Sequence, residues 1–248
     1  MTKRIYTCIC LAVLACGFCC QAGPVFRLRF EYPYLSQGTV ETYVGSAASK
    51  GGFSAGAILG TSGIGFGIGF SPSWGTIKGT ADDSYVRDVF TYAITREINF
   101  SYAFSSIELL CVAELFSFKD QSFTATLGTG YCFGDLSQEM HFIVNQDSTA
   151  TGSADKSIKS STGSGFPFFF GIGYTYKHVE IFTNARFYFV GYDFSPYDYT
   201  VFMGSAGSFT AHADDSSERL KLVQFTLGVS MLFGNLEKKK IRETEIKE

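Results

Sequence analysis

The chain has 248 residues, a net charge of −3, and aromatic and charged residues at 17% each. Soluble proteins carry about 25% charged residues, so a fully charged coat over an ordinary globule is not available here. The mild net charge argues against a nucleic-acid partner, and three His and one Trp leave little material for metal or histidine chemistry.

The chain opens as a secretory leader: MTKR is a positive start, IYTCICLAVLACGFCC an apolar run, and Cys20-Gln21-Ala22 a small-x-Ala cut before Gly23. A rival cut before Cys16, in Val13-Leu14-Ala15-Cys16, would produce a lipoprotein, but Leu14 sits where a small residue is wanted. Plain cleavage after residue 22 is the preferred reading. Five of the seven cysteines lie in this leader, so Cys111 and Cys132 alone need survive into the mature chain and no disulfide framework is expected.

From Val25, segments alternate with a period of two. In VFRLRFEYPY, Phe26, Leu28, Phe30, Tyr32 and Tyr34 share one face, and Arg27, Arg29 and Glu31 the other. FSAGAILG and GIGFGIGF follow, joined by Thr61-Ser62. The glycines of GIGFGIGF do not cradle a phosphate: neither G-x-G-x-x-G nor G-x-x-x-x-G-K-[ST] fits in either frame, and no helical pattern follows. Strict alternation makes it a strand, with Ile64, Phe66, Ile68 and Phe70 on the oily face. DVFTYAIT, INFSYAF, IELLCVAELF, FTATLGTGYCF, FPFFFGIGYTY, HVEIFTNARFYFVGY and LKLVQFTLGVSMLF repeat the bias, the last with Phe225 and Leu227 on its large apolar face.

Charge is too scarce to coat the outside of a soluble barrel, whereas a membrane barrel inverts the arrangement, apolar outside and small or polar within. No mature segment approaches the ~18 apolar residues of a spanning helix. A single strand through DVFTYAITREINFSYAF would put Arg96 on the lipid face with Tyr92, Ile94 and Ile98, at a cost of roughly 2–4 kcal/mol at mid-membrane. A turn at Arg96-Glu97 avoids this. The expectation is an all-β, transmembrane, antiparallel up-and-down barrel of ten strands, or eight if Arg96 lies on a strand extending beyond the bilayer. The expected domains are a signal peptide at 1–22, the barrel at 23–234 and a charged periplasmic tail at 235–248. Long loops at 35–52, 72–86, 134–165 and 194–218 would then be extracellular, with the tail and short turns periplasmic.

On leader, alternation and the closing strand FTLGVSMLF, residues 23–234 resemble small bacterial outer-membrane barrels of the OmpW and OmpA-like type. The resemblance is one of class. It implies outer-membrane lipid and the outer-membrane assembly machinery as partners, and small solutes or host and extracellular ligands at the loops. Such barrels usually end on a terminal aromatic, whereas Phe233 is followed here by GNLEKKKIRETEIKE.

The registers point Arg27, Arg29, Glu31, Glu97, Glu108, Glu114, Glu180 and Arg186 into the lumen. They could line a narrow channel, but at eight to ten strands the interior is about wide enough for side chains to fill it, and buried ions need partners. A paired plug is preferred, with two carboxylates in excess and any leak favouring small cations. No cofactor, metal or catalytic residue is assigned. The enzymatic alternative is an omptin-like outer-membrane protease using Asp82, Asp83, His212 and Asp214 in outer loops; the likeness is in residue types without matching spacing. Trp74, at a strand end, is expected to anchor the outer interface.

Overall fold

The computed structural model describes residues 24–40, 44–61, 63–87, 90–118, 120–146, 149–202 and 207–234. The leader and the tail lie outside the described residues. The described chain forms twelve strands: β1 Val25–Val40, β2 Val44–Gly52, β3 Ser54–Gly60, β4 Ile64–Arg87, β5 Phe90–Phe118, β6 Gln121–Gln146, β7 Thr149–Lys159, β8 Gly163–Tyr176, β9 Val179–Phe194, β10 Tyr197–Phe202, β11 Ser208–Ala213 and β12 Ser216–Gly234.

The ring closes through eight of them, in the order β1, β3, β4, β5, β6, β8, β9, β12 and back to β1, with every pairing antiparallel. The others prolong the staves of this barrel. β2 pairs with β4 above β3, β7 pairs with β6 above β8, and β10 and β11 form a hairpin beyond β9 and β12. One end of the barrel holds the start of β1, the end of β12 and the short connections after β3, β5 and β8, including Lys177-His178, where Lys177 has φ 53°. The strands are prolonged at the other end.

The outer face near the tight-turn end is an apolar band. On β8, Phe166, Phe168, Phe170, Ile172, Tyr174 and Tyr176 all face outward, as do Ile107 and Leu109 on β5 and Phe225, Leu227, Val229, Met231 and Phe233 on β12. From Phe166 to Tyr176 the band is eleven residues tall, the length of a transmembrane strand. Trp74 caps this band on β4, outward and 45% exposed, with its indole lying over Gly51 so closely that a Cβ there would fall 2.4 Å from Nε1. The molecule is a transmembrane antiparallel β-barrel.

The expected break at Arg96-Glu97 does not occur. β5 runs without interruption from Phe90 to Phe118 and takes in three of the ten segments expected from the sequence, which leaves eight staves. The stretches read as long loops are largely strand. The reason is a swap in the chemistry of the two faces. On β5 the even positions face inward from Val112 to Ile98, before the bulge at Glu114 and Phe116 reverses the faces: Glu108 and Ser106 are buried at band height, and Phe104, Tyr102, Phe100 and Ile98 are buried above it. Over the same stretch the odd positions face outward, apolar at Leu109 and Ile107, then small or polar from Ser105 to Glu97. Above the band the staves therefore enclose an ordinary apolar core with a polar exterior. Ile98 shares its face with Arg96, as expected, but this face is the interior of a projecting cylinder and not a lipid surface.

Candidate functional site

Eight staves leave room for side chains and little else, and the interior is filled in two tiers. The lower tier, at band height, is polar. Arg27, Arg29 and Glu31 on β1, Glu108 on β5, and Glu180, Asn184 and Arg186 on β9 are all buried. Alternation on each strand puts these groups on the inner face, and the glycines across from them make the space. A Cβ on Gly128 would lie 2.0 Å from the Phe169 ring, and one on Gly228 2.3 Å from Phe182.

Arg186 is the hub. Its Nε donates to Glu31 Oε2 at 3.2 Å, its Nη2 to Glu31 Oε1, and its Nη1 to Glu108 Oε1 at 2.5 Å. Its guanidinium lies 4.4 Å from the centroid of the Phe169 ring. Glu31 also accepts from Asn184 Nδ2 at 2.8 Å and from the Thr226 hydroxyl, and Glu108 from Ser106 Oγ at 2.8 Å. Nearer the tight turns, Arg27 Nη1 stands 3.6 Å from Glu180 Oε2, and Glu180 Oε1 accepts from Thr124 Oγ1 at 2.5 Å. Arg29 donates to Thr126 Oγ1 at 2.9 Å and covers the Phe182 ring at 3.7 Å. A charge desolvated this far is tolerated only when paired and hydrogen-bonded, and these groups supply one another.

Two of the eight charges read into the lumen stand elsewhere. Glu97 is exposed on the outer face of the β5 extension, opposite His141 on β6, because the faces exchange character above the band. Glu114 is half-buried beside the bulge between Glu114 and Phe116, close to the tight-turn rim. At band height, three buried arginines thus face three buried glutamates. The expected excess of two carboxylates is not found there among the described residues, which removes the ground on which a cation preference was expected.

The upper tier is apolar. Phe100, Tyr102 and Phe104 from β5, Leu136, Met140 and Phe142 from β6, Tyr188, Val190 and Tyr192 from β9, and Leu220 and Leu222 from β12 form one buried cluster. Phe104 and Tyr188 pack with ring centroids 4.9 Å apart. Ser71 and Tyr188 join the tiers, their hydroxyls 3.4 Å apart, with Tyr188 3.5 Å from Arg186 Nη1.

The residues read as lipid-facing all lie on the outer face: Ile68, Phe70, Phe225 and Leu227 exposed, Ile64 and Phe66 half-buried against neighbouring strands. Cys111 faces outward opposite Leu127, and Cys132 is buried opposite Ser106.

Of the residues grouped for the protease alternative, His212 and Asp214 stand 3.9 Å apart, whereas Asp82 and Asp83 belong to another part of the sheet. Asp82 and Asp83 lie on β4, paired with Thr95 and Ile94 on β5, whereas His212 lies on β11, which pairs with β10. The partner of His212 is one the sequence reading missed. Its Nδ1 is 2.7 Å from Asp198 Oδ1, across the β10–β11 hairpin, and Asp214 is further off at 3.9 Å. Hydrogen bonding to Asp198 raises the imidazole pKa, with the charges of Asp198 and Asp214 adding to it. A like pair, His141 Nδ1 and Asp155 Oδ1 at 2.6 Å, crosses β6 and β7. Among the described residues no cluster of three or more His, Cys, Asp or Glu could hold a metal ion.

No family model and no curated protein matches the chain. Among solved structures it is similar to Ail, the attachment invasion locus protein of Yersinia pestis, solved in complex with the heparin analogue sucrose octasulfate, at 11% identity and TM-score 0.40, covering 86% of this chain and 100% of that one. It is also similar to Neisserial surface protein A, at 10% identity and TM-score 0.35, covering 85% and 97%. A third similar structure is the outer membrane protease OmpT from Escherichia coli, at 7% identity and TM-score 0.30, covering 85% and 94%. These are likenesses of architecture at low identity, and no function follows from them.

Proposed function

We propose that this protein is a non-enzymatic bacterial outer-membrane barrel with a closed lumen, acting through its projecting, extracellular end as a surface interaction protein and not as a solute porin. One observation carries the reading: the interior is occupied at two successive levels. The arginine–glutamate network fills the membrane-level section, and the apolar cluster fills the section above it. A solute path would have to displace both. The extension in turn commits much of the chain to a polar-coated cylinder. On β5 it comprises residues 90–105, sixteen positions, or roughly 40 Å of height at the usual strand rise and tilt. A pore has no need of such a column, whereas a surface that must stand clear of the bilayer does. In this reading the barrel is inserted by the outer-membrane assembly machinery, with its tight turns and tail on the periplasmic side.

Planar-bilayer recording of purified protein tests the occlusion. Folded barrel, verified by heat-modifiable gel migration, is expected to give no steady conductance. Replacing Arg27 and Arg29 together by Ser is expected to leave it closed, because Arg186, Phe169 and the upper cluster remain above them. A large, stable wild-type conductance would return the protein to the porin class.

A further inference from the structure

The polar face of the extension carries a groove of about 380 Å³ across β5, β6 and β7, clear of the apolar band. Two lateral rows of outward residues build it. The upper row runs Glu97, His141, Asp155 and the lower Asn99, Glu139, Ser157, each residue paired across the sheet with the next. Neighbouring strands lie about 4.8 Å apart, so three successive side chains can take hold of one small molecule from opposite edges. The upper wall is tied, with His141 Nδ1 2.6 Å from Asp155 Oδ1. The carboxylate accepts from a protonated Nδ1, which leaves Nε2 of the neutral ring an acceptor. Below the groove, Ser101 and Ser137 are small, and Lys159 is turned away to Asp135, Nζ to Oδ2 at 2.6 Å. Asn99, Glu139 and Ser157 are exposed, and their side chains have no hydrogen bond or ion pair among the described residues.

We propose that this groove binds a neutral saccharide, with neighbouring hydroxyls of one sugar ring on Glu139 and His141 and the opposite edge on Asn99 and Ser157. The groove is rich in acceptors: both oxygens of Glu139, Asp155 Oδ2, His141 Nε2 and Asn99 Oδ1. Its donors are Asn99 Nδ2 and the Ser157 hydroxyl. A fitting ligand must therefore donate at several adjacent positions and accept at others, and hydroxyls carried side by side on a ring do both. A sulfate, phosphate or carboxylate brings acceptors only and meets the charges of Glu97, Glu139 and Asp155. A bare cation leaves both donors unused, and it meets Lys78, exposed on β4 opposite Asn99, and Lys156, which lines the groove. An apolar peptide side chain finds no outward apolar residue in either row. What remains is an uncharged, polyhydroxylated ring.

The proposal rests on the surface-interaction reading above and names the ligand class, and its test is separable from that reading. Full-length folded protein in phosphatidylcholine nanodiscs is titrated with the methyl glycosides of glucose, galactose and mannose. The methyl uronosides of the same sugars serve as anionic probes and spermidine as the cationic one, all followed by saturation-transfer NMR. At least one neutral glycoside is expected to bind at least roughly tenfold better than its uronoside, because the added carboxylate faces like charge. Glu139→Gln should weaken that glycoside by roughly tenfold, the loss expected when hydrogen bonds to a charged acceptor become neutral ones. Ser157→Phe should abolish binding by filling the groove, and heat-modifiable migration should persist in both variants. Should Ser157→Phe fail to fold, the isosteric Glu139→Gln decides. A folded barrel that binds no neutral glycoside, binds the uronoside equally well, or keeps its affinity in both variants would overturn the proposal. Spermidine binding without glycoside binding would mark a cation site and overturn it as well. Conductance recorded on the same preparation keeps the two readings apart. An open pore that still binds the glycoside removes the closed-lumen reading and supports this site, whereas a closed barrel that binds no glycoside removes the site alone.

Discussion

Arg186 on β9 holds both carboxylate oxygens of Glu31 on β1, reaching past β12, which lies between the two strands. The same guanidinium takes Glu108 from the opposite part of the ring. One side chain thus ties three staves together across the interior. Its removal leaves two buried carboxylates facing each other without a cation, a situation that costs about 3–5 kcal/mol. Arg186→Met is expected to lower the stability of the folded barrel by that order, measured by urea unfolding in lipid vesicles. Adding Glu31→Gln and Glu108→Gln should recover much of the loss, since the charges that need a partner are then gone. A triple variant no better than the single one would show that packing around Phe169, not charge pairing, sets the stability.

The lipid face and the lumen face of β4 respond to different physics. Ile68 is exposed in the band, flanked by Ala57 on β3 and Leu109 on β5. Ile68→Arg should cost about 2–4 kcal/mol in a bilayer and sharply reduce the inserted fraction on a heat-modifiable gel. On the inner face the glycines differ. A Cβ at Gly65 meets the movable Ile58 Cγ2 at 2.8 Å, whereas one at Gly67 meets Ala57 O at 2.0 Å and the Ile58 Cα at 2.7 Å. Gly67→Ala should therefore destabilise by about 1–3 kcal/mol, as overpacking does, and Gly65→Ala by clearly less. Equal effects of the two alanines would count against the close backbone approach of β3 and β4 at Gly67.

How far the sequence could be read depended on whether one rule held along a whole strand. Within the band it did: alternation alone separates Ile68 from Gly67, Phe225 from Gln224, and Arg186 from Phe187, since the period of two is geometric. The rule that the oily face meets lipid holds only where there is lipid. At Arg96 and Glu97 the geometry is unchanged but the solvent is water, so the oily face turns to the interior and Glu97 to the outside. A signal was present in Ser105-Ser106, where apolar alternation changes sides, yet it looks like an ordinary irregularity until the height of the membrane is known. The Asp198–His212 pair was hidden for another reason. It depends on the register of the β10–β11 hairpin, which a one-residue shift would undo.

The two mature cysteines report the faces directly. Cys111 is on the outer side of β5 at band height, and Cys132 is buried inside β6. Side chains on opposite faces of one wall do not reach disulfide geometry. In folded protein a lipid-soluble maleimide is expected to modify Cys111 readily and Cys132 only after unfolding. A mass-spectrometric Cys111–Cys132 crosslink, or rapid labelling of Cys132 in the folded state, would contradict the register of β5 against β6.

Outside the band, His212 offers a titration that reads the hairpin. Its pKa is raised above the ordinary imidazole value of 6.5, chiefly by the hydrogen bond to Asp198. A group whose folded pKa exceeds its unfolded one stabilises the folded form fully below the unfolded value, and this contribution disappears as pH rises through the folded value. The β10–β11 hairpin should thus be tighter below about pH 6.5 and loosen as His212 loses its proton. Both side chains are well exposed, so solvent screening keeps the gain small. Local amide exchange in Ser208–Ala213 is the suitable measure, and global unfolding is not. Exchange there is expected to slow as pH is lowered through the His212 titration, after correction for intrinsic rates, and Asp198→Asn should remove the dependence and return the His212 pKa towards 6.5. Were the pH dependence to persist in Asp198→Asn, the neighbouring Asp214, at 3.9 Å, would be the group that holds the imidazolium.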